Sequence, residues 1–437
     1  MMSQASVVYK SKAFPEASAS MILFLLVVVM LGGAFFAAEH RLQTGEQVVV
    51  EGEEAPSMMR QLGLVSIGAF GVFLLAMTGS HEVRISGGLG IVLFLLGALC
   101  LCSLAWTPAF SFSLRRLGGV VLCAVCSFGI CKHFKVSDFC KIVLCISLGF
   151  LGVGLLAELS GHGFAMSSVR YRFGGTVNPN LQGLYCSLIG LSSLCLFVSG
   201  IRFRPMFAAL FVLAVAFLLL TGSRTSLYSF SCAVAALTWI VSTPFLRACW
   251  ITGGIAVFAL VVIGVELFVG GVGEQLIDVL TVGRSTDTIA TLTGRAPLWA
   301  EVIHSISERP LLGYGFQGYW AGDRMLELGD ATGWAARGAH NSYLECMLSM
   351  GGIGGALFVL ALLIALHRAT VGFRISKDPG YGFAFSWLVF GMVHSMAEGV
   401  FAKPTLFPGM VFMTVLMLLA FQRVGSQHQP HNTVGKV

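Results

Sequence analysis

The chain has 437 residues, is 56% hydrophobic and only 11% charged, and carries a formal net charge of +6. Soluble domains carry about a quarter charged residues, so this composition excludes an ordinary soluble globular fold. Apolar runs of roughly 20 residues recur along the chain, the length that spans a bilayer, and they exclude the short alternating segments of a membrane β-barrel.

In chain order, the opening MMSQASVVYKSKAFPEASAS leads into the first apolar run without a convincing small-residue cleavage site, which predicts an uncleaved first span. Hydropathy predicts about 12 spans, near residues 19–38, 60–78, 86–105, 117–131, 139–157, 179–199, 205–221, 225–242, 247–269, 341–366, 382–401 and 405–421. The whole chain, 1–437, reads as one integral membrane domain with a long loop, roughly 270–340, between the ninth and tenth spans. The short segments KHFKVSDFCK, SGIRFRP and HRATVGFRISK are rich in lysine and arginine, which assigns them and both termini to the cytoplasm. Arg170, Arg172, Arg224, Arg295 and Arg324 then fall on the opposite side, against the usual bias. The 12 cysteines lie almost entirely in apolar runs, the CAVC at 123–126 included, and read as packing residues rather than a disulfide framework.

Three outward pieces stand out: residues 160–178, the tight turn TGSRTS at 221–226, and the long loop. Within that loop Leu298, Val302 and Ile306 recur at helical spacing, as do Trp299 and Ile303, Pro310 closes the segment, and LLGYGFQGYW reads as a glycine-hinged aromatic turn. A surface helix and ordered structure are therefore expected there. The C-terminal QRVGSQHQPHNTVGKV is polar and expected to be disordered.

The chemistry concentrates in RGAHNSYLECMLSMGGIGG, residues 337–355. A helix starting near Asn341 would place His340 at its positive end, a field that favours a neutral imidazole, the form a general base needs. The same helix end is a candidate anion site. An interfacial hydrogen-bonding histidine is the plain alternative. Glu345 lies four residues after Asn341, and an ionisable group within a span is functional by default or holds a neighbour such as His340 in place. Arg224, in the short outward turn, presents a planar fork suited to phosphate, as does Arg295 at the start of the loop helix; headgroup contact is the alternative for each arginine. His394 and Glu398, at i and i+4, read as a pair on one face of a late span, either packing or lining a cavity. His162 and His304 read as surface residues. Asp323, Glu327 and Asp330 have the spacing of a solvated helical face, with Asp330 the one of interest near the His340 end of the loop. No metal-binding spacing and no P-loop occur, so neither a cofactor nor a metal is expected.

His340-Asn341, nine residues, Gly351, two residues and Gly354 together resemble the H-[NSQ]-x9-G-x-x-[GTY] pattern of bacterial O-antigen ligases. GRAPLWAEVIHSISERPLLGYGFQGYW followed by AHNSYLE resembles the shared core of the wider O-antigen ligase and polymerase family, and TGSRTS and RFGGTVNPN also resemble family segments. The resemblance covers the second half of the chain well and the first half only by its pattern of spans. It implies an all-α polytopic membrane protein of the GT-C-like glycosyltransferase type, with about 12 transmembrane helices and a partly helical periplasmic loop. It also implies a metal-independent, inverting transfer of polysaccharide from undecaprenyl diphosphate to a sugar hydroxyl of lipid A–core, at the periplasmic face of the inner membrane. By matching position, His340 would be the base, and Arg224 and Arg295 would hold the diphosphate. Arg170, Arg172, Asn341, Glu345, Asp330 and Glu398 are candidate substrate contacts. The expected partners are the lipid-linked donor, the lipid A–core acceptor and membrane lipids, with no nucleic acid. A polymerase or a protein O-oligosaccharyltransferase of the same superfamily is the runner-up, and one long outward loop beside one short one leans towards ligase. A transporter of lipid-linked sugars is the alternative of a different class.

Overall fold

The computed structural model describes residues 16–40, 58–77, 83–85, 87–161, 171–200, 202–243, 245, 247, 295–321, 338–402 and 404–423. Apolar composition and backbone hydrogen-bond demand force this chain into helices, because a bilayer supplies no partners for exposed N–H and C=O groups. The helices are α1 (Glu16–Glu39), α2 (Met58–Ala76), α3 (Gly87–Cys102), α4 (Phe110–His133), α5 (Val136–Leu159), α6 (Pro179–Val198), α7 (Arg204–Thr221) and α8 (Arg224–Val241). After them come α9 (Arg295–Glu308), α10 (Ser342–Ser376), α11 (Pro379–His394) and α12 (Phe407–Ala420). Eight described helices, α1 to α7 and α10, are long and apolar enough to cross a membrane, so the chain is a multi-pass membrane protein. Its first half matches the expected spans closely; the expected span at 247–269 lies outside the described residues.

Two late helices are shorter than expected, at 16 residues for α11 and 14 for α12. The chain leaves the helix after His394 because the carbonyl of Ser395 is claimed by the amide of Ser342, 2.8 Å away, at the start of α10. The regular helix ends at His394, and one further turn closes on it, with the Glu398 amide donating to the His394 carbonyl at 2.9 Å; the Glu398 carboxylate turns towards residue 340. A second difference is a single antiparallel ladder, β1 (Val83–Ile85) with β2 (Phe421–Arg423), pairing Val83 with Arg423.

α6 is the central helix. It packs against α5, α7, α8 and α11, and most of its residues are buried. α8 lies along α11, and α10 packs against α3 and α11. One end of the bundle collects the C-terminal ends of α1, α7 and α11 and the N-terminal ends of α6, α8, α10 and α12. The Glu39 carboxylate that ends α1 accepts from the Phe407 amide that opens α12, at 2.6 Å, and from the Tyr185 hydroxyl of α6.

On that end sits a small second core. Leu298, Val302 and Ile306 of α9 are buried against Tyr314, Tyr319, Trp320, Ala339 and Leu348. α9 thus has the inward face that its spacing predicted, while Ile303 stays exposed. The segment after Pro310 turns through Gly313 and Gly315, both with positive φ, and docks into a break in α10. At Gly351 (φ 65°, ψ −167°) the helix loses its regular ladder. The loop fills the gap: Tyr314 donates its amide to the Leu348 carbonyl at 2.9 Å, and Gly352 donates to the Pro310 carbonyl at 2.7 Å. A Cβ at Gly351 would overlap the Leu311 carbonyl, so only glycine fits, for reasons of both space and conformation.

Gly351→Val should therefore lower stability by about 2–4 kcal/mol or more, from steric overlap plus a left-handed β-branched residue. Gly97→Ala, in α3 with open space around it, should be neutral or slightly stabilising. Thermal unfolding in detergent checks both; equal behaviour of the two variants would contradict the packing described.

Candidate active site

The break at Gly351 leaves residues 342–350 as a short helical stub whose N-terminus faces α9 and the turn after α11. Asn341 caps it: its Oδ1 accepts from the amides of Tyr343 at 3.0 Å and Leu344 at 3.1 Å, and its Nδ2 donates to the Met396 carbonyl at 3.0 Å. The Ser342 amide is bonded to Ser395, and the Ser342 hydroxyl donates to the Glu398 carbonyl at 2.9 Å. All three amides of the first turn are thus taken by the protein itself. The helix end that the sequence offered as an anion site is closed by its own cap and by the 395–398 turn.

His340 precedes the cap in the left-handed region, φ 46°, a conformation in which histidine is among the better-tolerated non-glycine residues. Glu345 explains how it is held there. One carboxylate oxygen accepts from Trp320 Nε1 at 2.8 Å and the other from the Ala339 amide at 3.0 Å. Trp299 Nε1 donates to the Ala339 carbonyl at 2.9 Å. The buried Glu345 is thus an anchor for the turn that carries His340, the second of the two roles its position allowed.

The ring of His340 points its Nδ1 at Glu398 Oε2, 3.1 Å away. The other oxygen of Glu398 takes Arg295 Nη2 at 2.8 Å, and Arg295 Nη1 donates to the Ala397 carbonyl. Burial alone would raise the Glu398 carboxyl. The hydrogen bond from His340 and the charge of Arg295 oppose it, and the group is held at about 2, against 4.5 for an ordinary glutamate. An ionised carboxylate can only accept, so Nδ1 carries the hydrogen and the lone pair of a neutral ring falls on Nε2. The His340 side chain is 32% exposed and that of Glu398 15%, which suits a group reachable from one side and oriented from the other.

Three segments distant in sequence meet here, and Arg295, His340, Asn341 and Glu398 are brought together with Glu345 one shell behind. The fork of Arg295 is engaged with the 397–398 turn. His394 is buried under Glu398, stacked on Phe390 at 5.3 Å between ring centres and edge-on to Phe401 at 5.7 Å.

Arg224 stands in the first turn of α8, half-buried, on the helix that packs along α11. Arg172 is placed beside that turn: its Nε donates to the Thr221 carbonyl and its Nη2 to Asn180 Oδ1, both at 2.8 Å. His304 is exposed, near Glu308. Arg170, Asp330, His162, Asp323, Arg324 and Glu327 lie outside the described residues. No group of three or more metal-ligating side chains occurs among the described residues. Sequence reasoning missed the His340–Glu398–Arg295 connection because 58 and 103 residues separate the partners.

Residues 209–359 match the family model described as O-Antigen ligase, a segment that contains Arg224, Arg295, His340, Asn341 and Glu345. The chain is 28% identical over 202 residues to the O-antigen ligase of Pseudomonas aeruginosa, covering 45% of this chain and 43% of that protein. It is also 28% identical over 213 residues to the exopolysaccharide production protein ExoQ of Rhizobium meliloti, covering 44% of this chain and 45% of that one. The aligned part thus spans less than half the length of either relative. The similarity is to an O-antigen ligase and to an exopolysaccharide production protein, and it covers less than half of this chain.

A depressed carboxylate stabilises the fold at pH above its unfolded value and stops doing so as pH falls through its folded value. The gap in melting temperature between wild type and Glu398→Gln should therefore be full at pH 5 and above. It should narrow as pH falls from about 4.5 towards 2. Melting curves across that range check this, and a gap independent of pH would contradict the ionised, paired Glu398.

Proposed function

From this similarity and this geometry we propose that the chain is a glycosyltransferase that moves a polysaccharide from undecaprenyl diphosphate to a sugar hydroxyl of lipid A–core. The proposed site faces the periplasm at the inner membrane, and both termini lie in the cytoplasm. In the proposed step the acceptor oxygen attacks the anomeric carbon of the first donor sugar. The bond from that carbon to the diphosphate oxygen breaks, with inversion. The acceptor proton passes to Nε2 of His340, and the diphosphate leaves with the electron pair of the broken bond.

The observation that carries this reading is the pairing of His340 Nδ1 with Glu398 at 3.1 Å, which leaves Nε2 as the ring nitrogen to take a proton. A base oriented by a carboxylate is a common arrangement for accepting a proton from a hydroxyl. Arg224 has the fork chemistry for a diphosphate and takes that role here. Arg295 is assigned a narrower one than its sequence position suggested: it neutralises and orients Glu398, to which it is already bonded. Asn341 and Glu345 hold the histidine's turn, so they act through His340 and are not proposed as substrate contacts. Asp330 and Arg170 remain candidate contacts on sequence grounds alone.

A second reading, polymerisation of repeat units with the same chemistry, has specific support from the similarity to the exopolysaccharide production protein. The acceptor would then be another lipid-linked chain. Deleting the gene separates the two. Long chains stored on the lipid carrier and absent from lipopolysaccharide support the ligase; single repeats on the core support the polymerase.

In vesicles holding the purified protein, donor and acceptor, His340→Ala should lower transfer by about 10²–10⁴ with the protein still folded. Glu398→Gln should lower it less, about tenfold, because the base remains but its orientation is lost. Wild-type rates in His340→Ala would end the general-base reading. Transfer should also survive chelators, and a loss restored by a divalent cation would overturn the metal-independent step.

A further inference from the structure

We infer that Arg172 is a positioning residue for the turn that carries Arg224, and not itself a ligand of the donor. The inference rests on the reading that Arg224 holds the donor diphosphate.

Residues 171–177 thread through the site end of the bundle, non-helical at 171–174 and turning at 175–177, and Phe173, Gly174, Gly175, Thr176 and Val177 are all buried. It is pinned at several points. Glu158 at the end of α5 accepts from the Gly174 amide at 3.1 Å and the Gly175 amide at 2.9 Å through one carboxylate oxygen. Its other oxygen takes the Tyr171 hydroxyl. The Thr176 hydroxyl meets His40 Nδ1 at 2.6 Å, and the Phe173 amide donates to the Leu220 carbonyl at 2.9 Å. Gly175 packs directly on Gly154. Arg172 therefore springs from a fixed base.

From that base its guanidinium reaches the C-terminus of α7. Nε donates to the Thr221 carbonyl, where the helix end concentrates negative charge, and Nη2 ties the same group to Asn180 in the first turn of α6. Gly222 (φ 58°) lies against the Arg172 side chain, and Arg224 follows two residues later. The far side of the turn is fixed too: Ser223 Oγ donates to Ser226 Oγ at 3.0 Å, and both pack on Gly183 of α6. Arg172 thus ties the ends of α6 and α7 together, and the start of α8, packed on α6 through Ser223 and Ser226, follows directly from the second. A guanidinium spanning two acceptors in fixed directions does this; a lysine reaches one of them at a time.

Misplacement of a diphosphate-binding group by about 1 Å costs up to about 10²-fold. Arg172→Ala should accordingly raise the KM for the lipid-linked donor about 10- to 100-fold, with the acceptor KM unchanged. Arg172→Lys should recover part of that loss. Asn180→Ala, which removes one end of the clamp, should raise the donor KM in the same direction, and the double variant should be no worse than Arg172→Ala alone. Asn180→Ala with a wild-type donor KM overturns the inference even if Arg172→Ala fails to fold. Losses that multiply fully in the double variant overturn it as well and assign Arg172 a direct contact with the donor. Arg224→Ala separates the underlying reading: a wild-type donor KM there removes the diphosphate role of Arg224. Loss of donor binding in Arg224→Ala, with Arg172→Ala unaffected, overturns only the clamp.

Discussion

One carboxylate, Glu398, holds the candidate site together. It bonds Arg295 through one oxygen and His340 through the other, and so joins the start of α9, the threshold of α10 and the turn after α11. Burial makes such a charge expensive, and the Arg295 guanidinium together with the hydrogen bond from His340 compensates it locally. The consequence for chemistry is directional. A fixed acceptor on Nδ1 determines which imidazole nitrogen is left to take a proton, and the left-handed turn at residue 340 determines where that nitrogen points.

The rest of the site end serves this arrangement. Glu345, Trp320 and Trp299 fix the Ala339 backbone from beneath, and Asn341 closes the helix end that follows. The break at Gly351 admits the 310–314 segment into α10, which locks the stub bearing His340 to the α9 unit bearing Arg295. A continuous helix would have left α9 docked only by its side chains. On the other side of α11, the strap at 171–177 ties the ends of α6 and α7 together, and the turn that leads to Arg224 follows from the second.

Much of the fold was legible because each span is a long apolar run, and the helix start at residue 342 was legible because asparagine precedes it as a cap. Trp299, Tyr314 and Trp320 could be assigned to an ordered loop from composition and spacing. What local pattern does not contain is which distant group completes a site. Glu398 sat at i+4 from His394 and read as its partner; its amide does donate to the His394 carbonyl in the last turn, but the carboxylate turns to residue 340. Arg295 looked like a ligand for an anionic substrate because its planar fork opens the loop helix, yet its partner lies about a hundred residues on. The supposed anion site failed for a similar reason: the amides of the α10 first turn are consumed by Asn341 and by a carbonyl from the turn after α11. Arg172 was read as a possible substrate contact, and only the carbonyl of Thr221 and the amide oxygen of Asn180 reveal where its guanidinium is spent.

The most direct test of the central claim is the tautomer of His340. Nitrogen-15 spectra of histidine-labelled protein, assigned with a His340→Asn variant, distinguish a protonated ring nitrogen from one with a free lone pair. A neutral His340 with hydrogen on Nδ1 and an open Nε2, shifting when Glu398 is replaced by glutamine, is the expected result. A ring with its hydrogen on Nε2, insensitive to Glu398, would contradict the account, because no base would then face the acceptor.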